Sequence, residues 1–197
     1  GDIPLVADMS SNILSEVYDV SKFGLIYAGA QKNVAPAGVV ILIVREDLMG
    51  HELPITPKVM SFKKMADADS MLNTPNCFGI YVAGLTFEWL KQQGGVAAME
   101  KINIEKAALL YDFLDNSKLF KPTAQKEFRS RMNVTFITGD ADKDAAFVKA
   151  AAAEGLVNLK GHRSVGGMRA SIYNAMPYEG VEALVAFMRK FEAENNQ

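Results

Sequence analysis

Lys32 stands in the segment Ala28-Gly29-Ala30-Gln31-Lys32-Asn33, between the apolar runs Ile26-Tyr27-Ala28 and Val39-Val40-Ile41-Leu42-Ile43-Val44. Both runs read as buried strands, which puts the lysine at a strand end near the core. Taking an amine out of water disfavours its charged form, and a neutral amine is a nucleophile toward aldehydes. Pro4-Leu5-Val6-Ala7 reads as another short strand with Asp8 at its carboxyl end, where open α/β sheets bind their ligands. A lysine able to capture an aldehyde and an acid able to hold a pyridinium nitrogen are the minimum equipment for pyridoxal 5′-phosphate. The same residue types also occur as solvated surface lysines and as Asp-x-Ser-Ser turns or helix caps, so spacing by itself leaves both readings open.

Two other clusters could bind anions. His162, Arg163 and Arg169 bracket the flexible pair Gly166-Gly167. An arginine grips a carboxylate through two parallel hydrogen bonds, and Arg163 with His162 could meet a phosphate, so the set suits a substrate with two anionic ends. A solvated basic loop is the plainer reading of the same residues. Asn73 and Thr74 are short hydrogen-bonding residues before Pro75, which a turn explains equally well. His51 reads as a loop residue and Cys77 as a small buried one. Two histidines and one cysteine, widely separated, suggest no metal site.

These residues need elements to hold them. Pro4 to Ala7, Gly24 to Ala28 and Val39 to Val44 read as strands, and the β-branched run of the third predicts burial on both faces. Arg45 to Met71 reads as surface connection. From Cys77 to Gln92 the apolar residues Ile80, Ala83, Gly84, Phe87 and Leu90 recur at helical spacing, and Gly94-Gly95 closes that helix. The glycine pair is the best domain boundary, giving residues 1–95 and 96–197, because the next helix starts there with the stripe Met99, Ile102, Leu109 and Phe113. The second part reads as a small α/β unit: strand Asn133 to Thr138, helix Asp142 to Glu154, and strands Gly155 to Leu159 and Met168 to Tyr173. A closing helix buries Val181, Leu184, Val185, Met188 and Phe191, and the polar tail Glu192 to Gln197 is expected to fray.

Length and charge set bounds. A chain of 197 residues, 49% of them apolar, can bury a sizeable core. A net charge of −2 offers no long-range attraction for nucleic acid or anionic lipid, so neither is expected as a partner. No apolar run is long enough to span a bilayer and the first residues do not form a signal peptide. The single cysteine cannot make an internal disulfide, which points to a reducing compartment, the cytoplasm.

Ala7-Asp8-Met9-Ser10-Ser11 followed by Ile26-Tyr27-Ala28-Gly29-Ala30-Gln31-Lys32-Asn33 resembles the phosphoserine aminotransferase family. Leu72-Asn73-Thr74-Pro75 and the stretch Gly161 to Ala175, with Gly161-His162-Arg163-Ser164 and Gly167-Met168-Arg169-Ala170, resemble two further family segments in the same order. The resemblance runs essentially from end to end, but it covers only the family's carboxyl-terminal portion. The amino-terminal portion, with the family's phosphate turn, ring-stacking aromatic, a threonine and a substrate arginine, has no counterpart here. A start at Gly1, without methionine and inside what would be a domain, suggests a piece of a longer protein.

The resemblance implies an α/β fold: the end of a pyridoxal-phosphate fold type I, aspartate aminotransferase-like large domain over residues 1–95, then a small carboxyl-terminal α/β domain over 96–197. It implies transamination between glutamate and 3-phosphohydroxypyruvate, giving 2-oxoglutarate and O-phosphoserine in serine biosynthesis, a family role that in bacteria often extends to pyridoxine synthesis. Lys32 would carry the cofactor and, once freed, move a proton between the substrate carbon and the cofactor's C4′. Asp8 would keep the ring nitrogen protonated. Gln31 would lie near the cofactor phosphate, with Asn73 and Thr74 reaching the phosphate of a neighbouring subunit in a homodimer with shared active sites. His162, Arg163 and Arg169 would bind substrate, with the phosphate partners on the adjacent subunit. Two rivals stand beside this reading. One is a different fold type I aminotransferase, of the serine or alanine–glyoxylate type; the other is a non-catalytic fragment that only packs or dimerises.

Overall fold

A computed structural model describes residues 3–195. The chain separates into two compact units, Gly1–Gly95 and Val96–Gln197.

The first unit holds a three-stranded sheet in the order β1 (Val6–Asp8), β2 (Leu25–Gly29), β3 (Val40–Val44), with β1 and β2 parallel and β3 antiparallel to β2. The parallel register pairs Ala7 with Ile26 and Asp8 with Tyr27, so the two strands run out side by side and their following loops emerge at one end. Ile26 and Ala28 of β2 face inward at 1% and 0% exposure and pack with Met9, Ile13, Ala30 and Val34. Short side chains at Ala28 and Ala30 let the loop after β2 lie close on this core.

β3 corrects one expectation. Its run of Val, Ile and Leu is not buried on both faces: Val40 is 62% exposed and Leu42 44%. It is an edge strand, bonded to β2 on one side only among the described residues, and one face has no layer over it. The stretch expected as plain connection contains a short helix, α1 (Phe62–Asp67), opened by Ser61, whose hydroxyl accepts from the Lys64 N–H.

Helix α2 (Cys77–Gln92) begins where the Asn76 side chain accepts from the Gly79 N–H, one turn in. It ends at Gly94, whose φ of +92° is open to glycine and strained for other residues. Of its expected stripe, Ala83 and Leu90 are buried, but Ile80 and Phe87 remain 42% and 39% exposed. Cys77, expected to be buried, is an exposed free thiol in the first turn.

Helix α3 (Gly95–Asn116) starts on the last residue of the first unit and belongs otherwise to the second, which contains an antiparallel sheet in the order β4 (Lys121–Pro122), β5 (Asn133–Ile137), β6 (Met168–Ser171). Two helices complete it, α4 (Ala141–Ala153) and α5 (Tyr178–Asn195). Asp140 caps α4 by accepting from the Asp142 and Lys143 N–H groups. The core is aromatic: the Phe120 and Phe147 rings lie 5.0 Å apart and Phe147 and Phe191 5.2 Å, both edge to face. The expected α5 stripe is buried throughout, from Val181 to Phe191.

Alternation along β5 and β6 sends Val134, Phe136, Met168 and Ala170 into this core and leaves Asn133, Thr135, Arg169 and Ser171 on a polar face. Residues 155–159 are not a strand. Gly155 and Asn158 both take positive φ, which breaks an extended path, and the pairing with β6 is reduced to an isolated bridge of Lys160 with Met168, with the Arg169 N–H donating to the Leu159 carbonyl. The tail is not frayed through Asn195, where α5 continues; Asn196 and Gln197 lie outside the described residues. Among the described residues no helix is long and apolar enough to cross a membrane.

Candidate active site

The ends of β1 and β2 bring Asp8 and Lys32 into one neighbourhood. Asp8 closes β1 and is exposed; its Oδ1 accepts from the Ser10 N–H at 2.9 Å and from the Ser10 hydroxyl at 2.6 Å. These two bonds hold the carboxyl below its ordinary value, helped by Tyr27 and, more weakly, by the positive charge of Lys32. Asp8 is therefore a carboxylate at neutral pH, the form that can partner a protonated ring nitrogen.

Lys32 lies in the turn that follows β2. It is half-buried rather than enclosed, and its Nζ donates to the Ser11 hydroxyl at 2.6 Å. Two bonds stitch the loops together beneath it. The Gly29 N–H donates to the Ser10 hydroxyl at 2.9 Å, and the buried Asn33 amide donates to the Ile13 carbonyl at 3.1 Å. Gln31 is exposed, and its amide folds back over Gly29, where a Cβ would meet the Gln31 Oε1 at 2.5 Å. Glycine at 29 is what lets that side chain lie so close.

The other expected residues are placed separately. Asn73 and Thr74 stand exposed in the irregular segment before α2, where the Asn73 amide donates to its neighbour's carbonyl at 3.3 Å. In the second unit, His162 and Arg163 are exposed in the loop before β6, with the His162 Nδ1 2.6 Å from the Ser164 hydroxyl. Arg169 sits on the polar face of β6 opposite Thr135. Its Nε is buried and finds no hydrogen-bond partner among the described residues.

Ser10, Ser11 and Asn33 were not singled out by sequence reasoning. Tandem serines after an acid look like any turn, and only the long-range bonds to residues 29 and 32 distinguish them. The only signal is their place inside the two motifs, the serines beside Asp8 and Asn33 beside Lys32.

The site residues present fit pyridoxal 5′-phosphate: an ionised acid, a lysine resting on a neutral hydroxyl rather than on a carboxylate, and both at the ends of adjacent parallel strands. The fold and this pairing define a class of protein, and the chain belongs to the aminotransferase class-V family, whose family model matches residues 1–184. Within that class it is similar to phosphoserine aminotransferases. It is 62% identical over 189 residues to the phosphoserine aminotransferase of Listeria monocytogenes, covering 96% of this chain and 52% of the relative. The phosphoserine aminotransferase structure from Bacillus circulans subsp. alkalophilus superposes with a TM-score of 0.94 at 46% identity, covering 98% of this chain and 54% of that one. The pyridoxal-phosphate-bound phosphoserine aminotransferase structure from Trichomonas vaginalis gives 0.91 at 42% identity, covering 96% of this chain and 54% of that one. The α/β fold is thus that of the pyridoxal-phosphate fold type I enzymes. The chain spans about half the length of the curated relatives it matches.

Proposed function

We propose that the complete protein containing this chain is a pyridoxal-phosphate-dependent transaminase exchanging an amino group between glutamate and 3-phosphohydroxypyruvate, with O-phosphoserine and 2-oxoglutarate as products. The observation that carries this reading is the pairing of Asp8 and Lys32 on the loops after β1 and β2. The bound cofactor would supply an aldehyde for the lysine and an electron-withdrawing ring for the substrate carbon.

The chain's own residues supply the rest. Asp8, kept ionised by Ser10, holds the proton on the ring nitrogen. Lys32 Nζ, when not bonded to the cofactor, removes a proton from the substrate carbon and returns it one atom along; its half-buried place limits competing water. Gln31, Asn73 and Thr74 donate toward the cofactor phosphate, the last two on a neighbouring copy in a homodimer. Arg169 takes the substrate carboxylate through its guanidinium, and Arg163 with His162 takes the substrate phosphate. Cytoplasmic placement accompanies this reading, with the exposed free Cys77 suited to a reducing compartment.

The test is covalent capture. The full-length protein is incubated with pyridoxal 5′-phosphate, reduced with borohydride and digested. A single adduct mapped to Lys32, reduced at least tenfold in Asp8→Ala (about 1.4 kcal/mol per factor of ten), is expected. No adduct at Lys32 would remove the basis of the assignment.

A further inference from the structure

Ser10 and Ser11 divide the contacts to the two groups on which the proposed function depends. The Ser10 hydroxyl and N–H both engage Asp8 Oδ1, while the Ser11 hydroxyl engages Lys32 Nζ. We propose that Ser11 is a positioning residue for Lys32, a neutral acceptor that holds the amine in line for the cofactor aldehyde and, with Ser10 occupying Asp8, keeps acid and amine from collapsing into an ion pair. This inference rests on the reading of Lys32 as the cofactor-binding lysine.

Three features support it. First, the Ser11–Lys32 bond joins residues 21 apart in sequence, so it is not a local turn contact. Second, the serine's place does not depend on the lysine. The buried Asn33 amide ties the same loop at the Ile13 carbonyl, with a longer 3.5 Å approach to the Ser11 carbonyl, and Gly29 ties it at Ser10. The backbone that carries the hydroxyl is therefore held by contacts other than the amine's, which is what positioning requires. Third, the chemistry is selective. A hydroxyl accepts from an ammonium or an amine alike and can donate to the amine's lone pair, whereas a carboxylate at the same place would hold the nitrogen as an ammonium. Asp8 is the nearby carboxylate that could do so, and the Lys32 charge is the weakest of the influences on it; the Ser10 bonds dominate.

The step that reports on this is bond formation itself. The Lys32 amine attacks the aldehyde carbon of pyridoxal 5′-phosphate, a C=N bond forms, and the aldehyde oxygen leaves as water. Full-length protein stripped of cofactor is mixed with pyridoxal 5′-phosphate, quenched with borohydride at timed intervals, and the Lys32 adduct is counted by peptide mass mapping. Binding of pyridoxamine 5′-phosphate, which has no aldehyde, is measured in parallel as a readout of the remaining site.

Ser11→Thr is expected to form the adduct within about twofold of the wild-type rate, and Ser11→Ala about tenfold more slowly, the equivalent of about one hydrogen bond. Both should bind pyridoxamine 5′-phosphate within about twofold of wild type. Ser11→Asp should be slow at neutral pH and recover as pH rises, because the new carboxylate holds the ammonium until a higher pH. Ser11→Ala at the wild-type rate, or slow only in proportion to lost pyridoxamine 5′-phosphate binding, overturns the positioning role while leaving the Lys32 assignment intact. Should Ser11→Ala not fold, Ser11→Asp decides: wild-type capture at neutral pH overturns the proposal. Absence of a Lys32 adduct in the wild type is the distinct failure of the cofactor reading, and this inference falls with it.

Discussion

Two arginines near one loop are suited to anions in different ways. Arg169 is half-buried on β6, and its enclosed Nε has no hydrogen-bond partner among the described residues. Arg163 is exposed and loses little by waiting in water. In the proposed reaction both substrates carry a carboxylate at the amino-acid end, but only O-phosphoserine carries a phosphate. Arg163→Ala in the full-length protein should therefore lower kcat/KM for O-phosphoserine by about a hundredfold, the worth of one charge-assisted contact, and that for glutamate by less than about threefold. Half-reaction kinetics with each amino acid measure this directly. Equal losses would move the assignment toward an aminotransferase with a non-phosphorylated substrate. At the same scale, Asp8 shows why a residue type is not a role: its carboxyl is ready for a ring nitrogen because Ser10 aims two donors at one oxygen.

Among the elements, α3 does more than pack. Lys106 is fully buried, and its Nζ donates to the carbonyls of Tyr173 and Met176 at 2.9 Å and approaches that of Ile172 at 3.5 Å. One turn earlier the Asn103 amide donates to the Asn174 side chain at 2.9 Å. Together they clamp the turn joining β6 to α5. Burial pushes the Lys106 ammonium down from 10.5 to about 8. Between those values the unfolded chain binds more protons than the folded one, so Lys106 makes the fold gain stability as pH rises through that window. The whole shift corresponds to about 3 kcal/mol. Lys106→Met should unfold about 2 kcal/mol more easily at pH 7, because three carbonyls lose their donor, and the gap should widen from pH 8 toward 10. Urea melts at several pH values check this; a gap independent of pH would contradict the buried charge. The element scale is also where sequence reading succeeds and stops. The α5 stripe, the glycine closure of α2 and the strands carrying Asp8 and preceding Lys32 follow from periodicity and turn chemistry, which are local. Burial of β3 did not follow, because a run such as Val40–Val44 states what it could bury and not what layer covers it. Lys106 was invisible for a related reason: a lysine in an amphipathic helix reads as surface until carbonyls 66 to 70 residues away close over it.

For the whole molecule, two units with separate cores make up a chain about half as long as its curated relatives, so the site residues named here need not come from one copy. Asn73 and Thr74 stand exposed, and the Asn73 amide donates to the Thr74 carbonyl; in the proposed homodimer both would serve a neighbouring copy. In a twofold dimer each site would then combine Lys32 of one protomer with Asn73 and Thr74 of the other. That geometry makes a strong prediction for mixtures of two inactive full-length variants. In a mixed dimer of Lys32→Ala with the double variant Asn73→Ala, Thr74→Ala, one site receives both lesions and the other receives neither. Co-refolding equal amounts should restore about a quarter of the wild-type activity, since random pairing makes half the dimers mixed and each has one intact site out of two. The same mixture should regain about a quarter of the pyridoxal 5′-phosphate bound tightly by wild type. If Lys32, Asn73 and Thr74 instead serve a site within one protomer, every site in the mixture carries a lesion and neither quantity recovers.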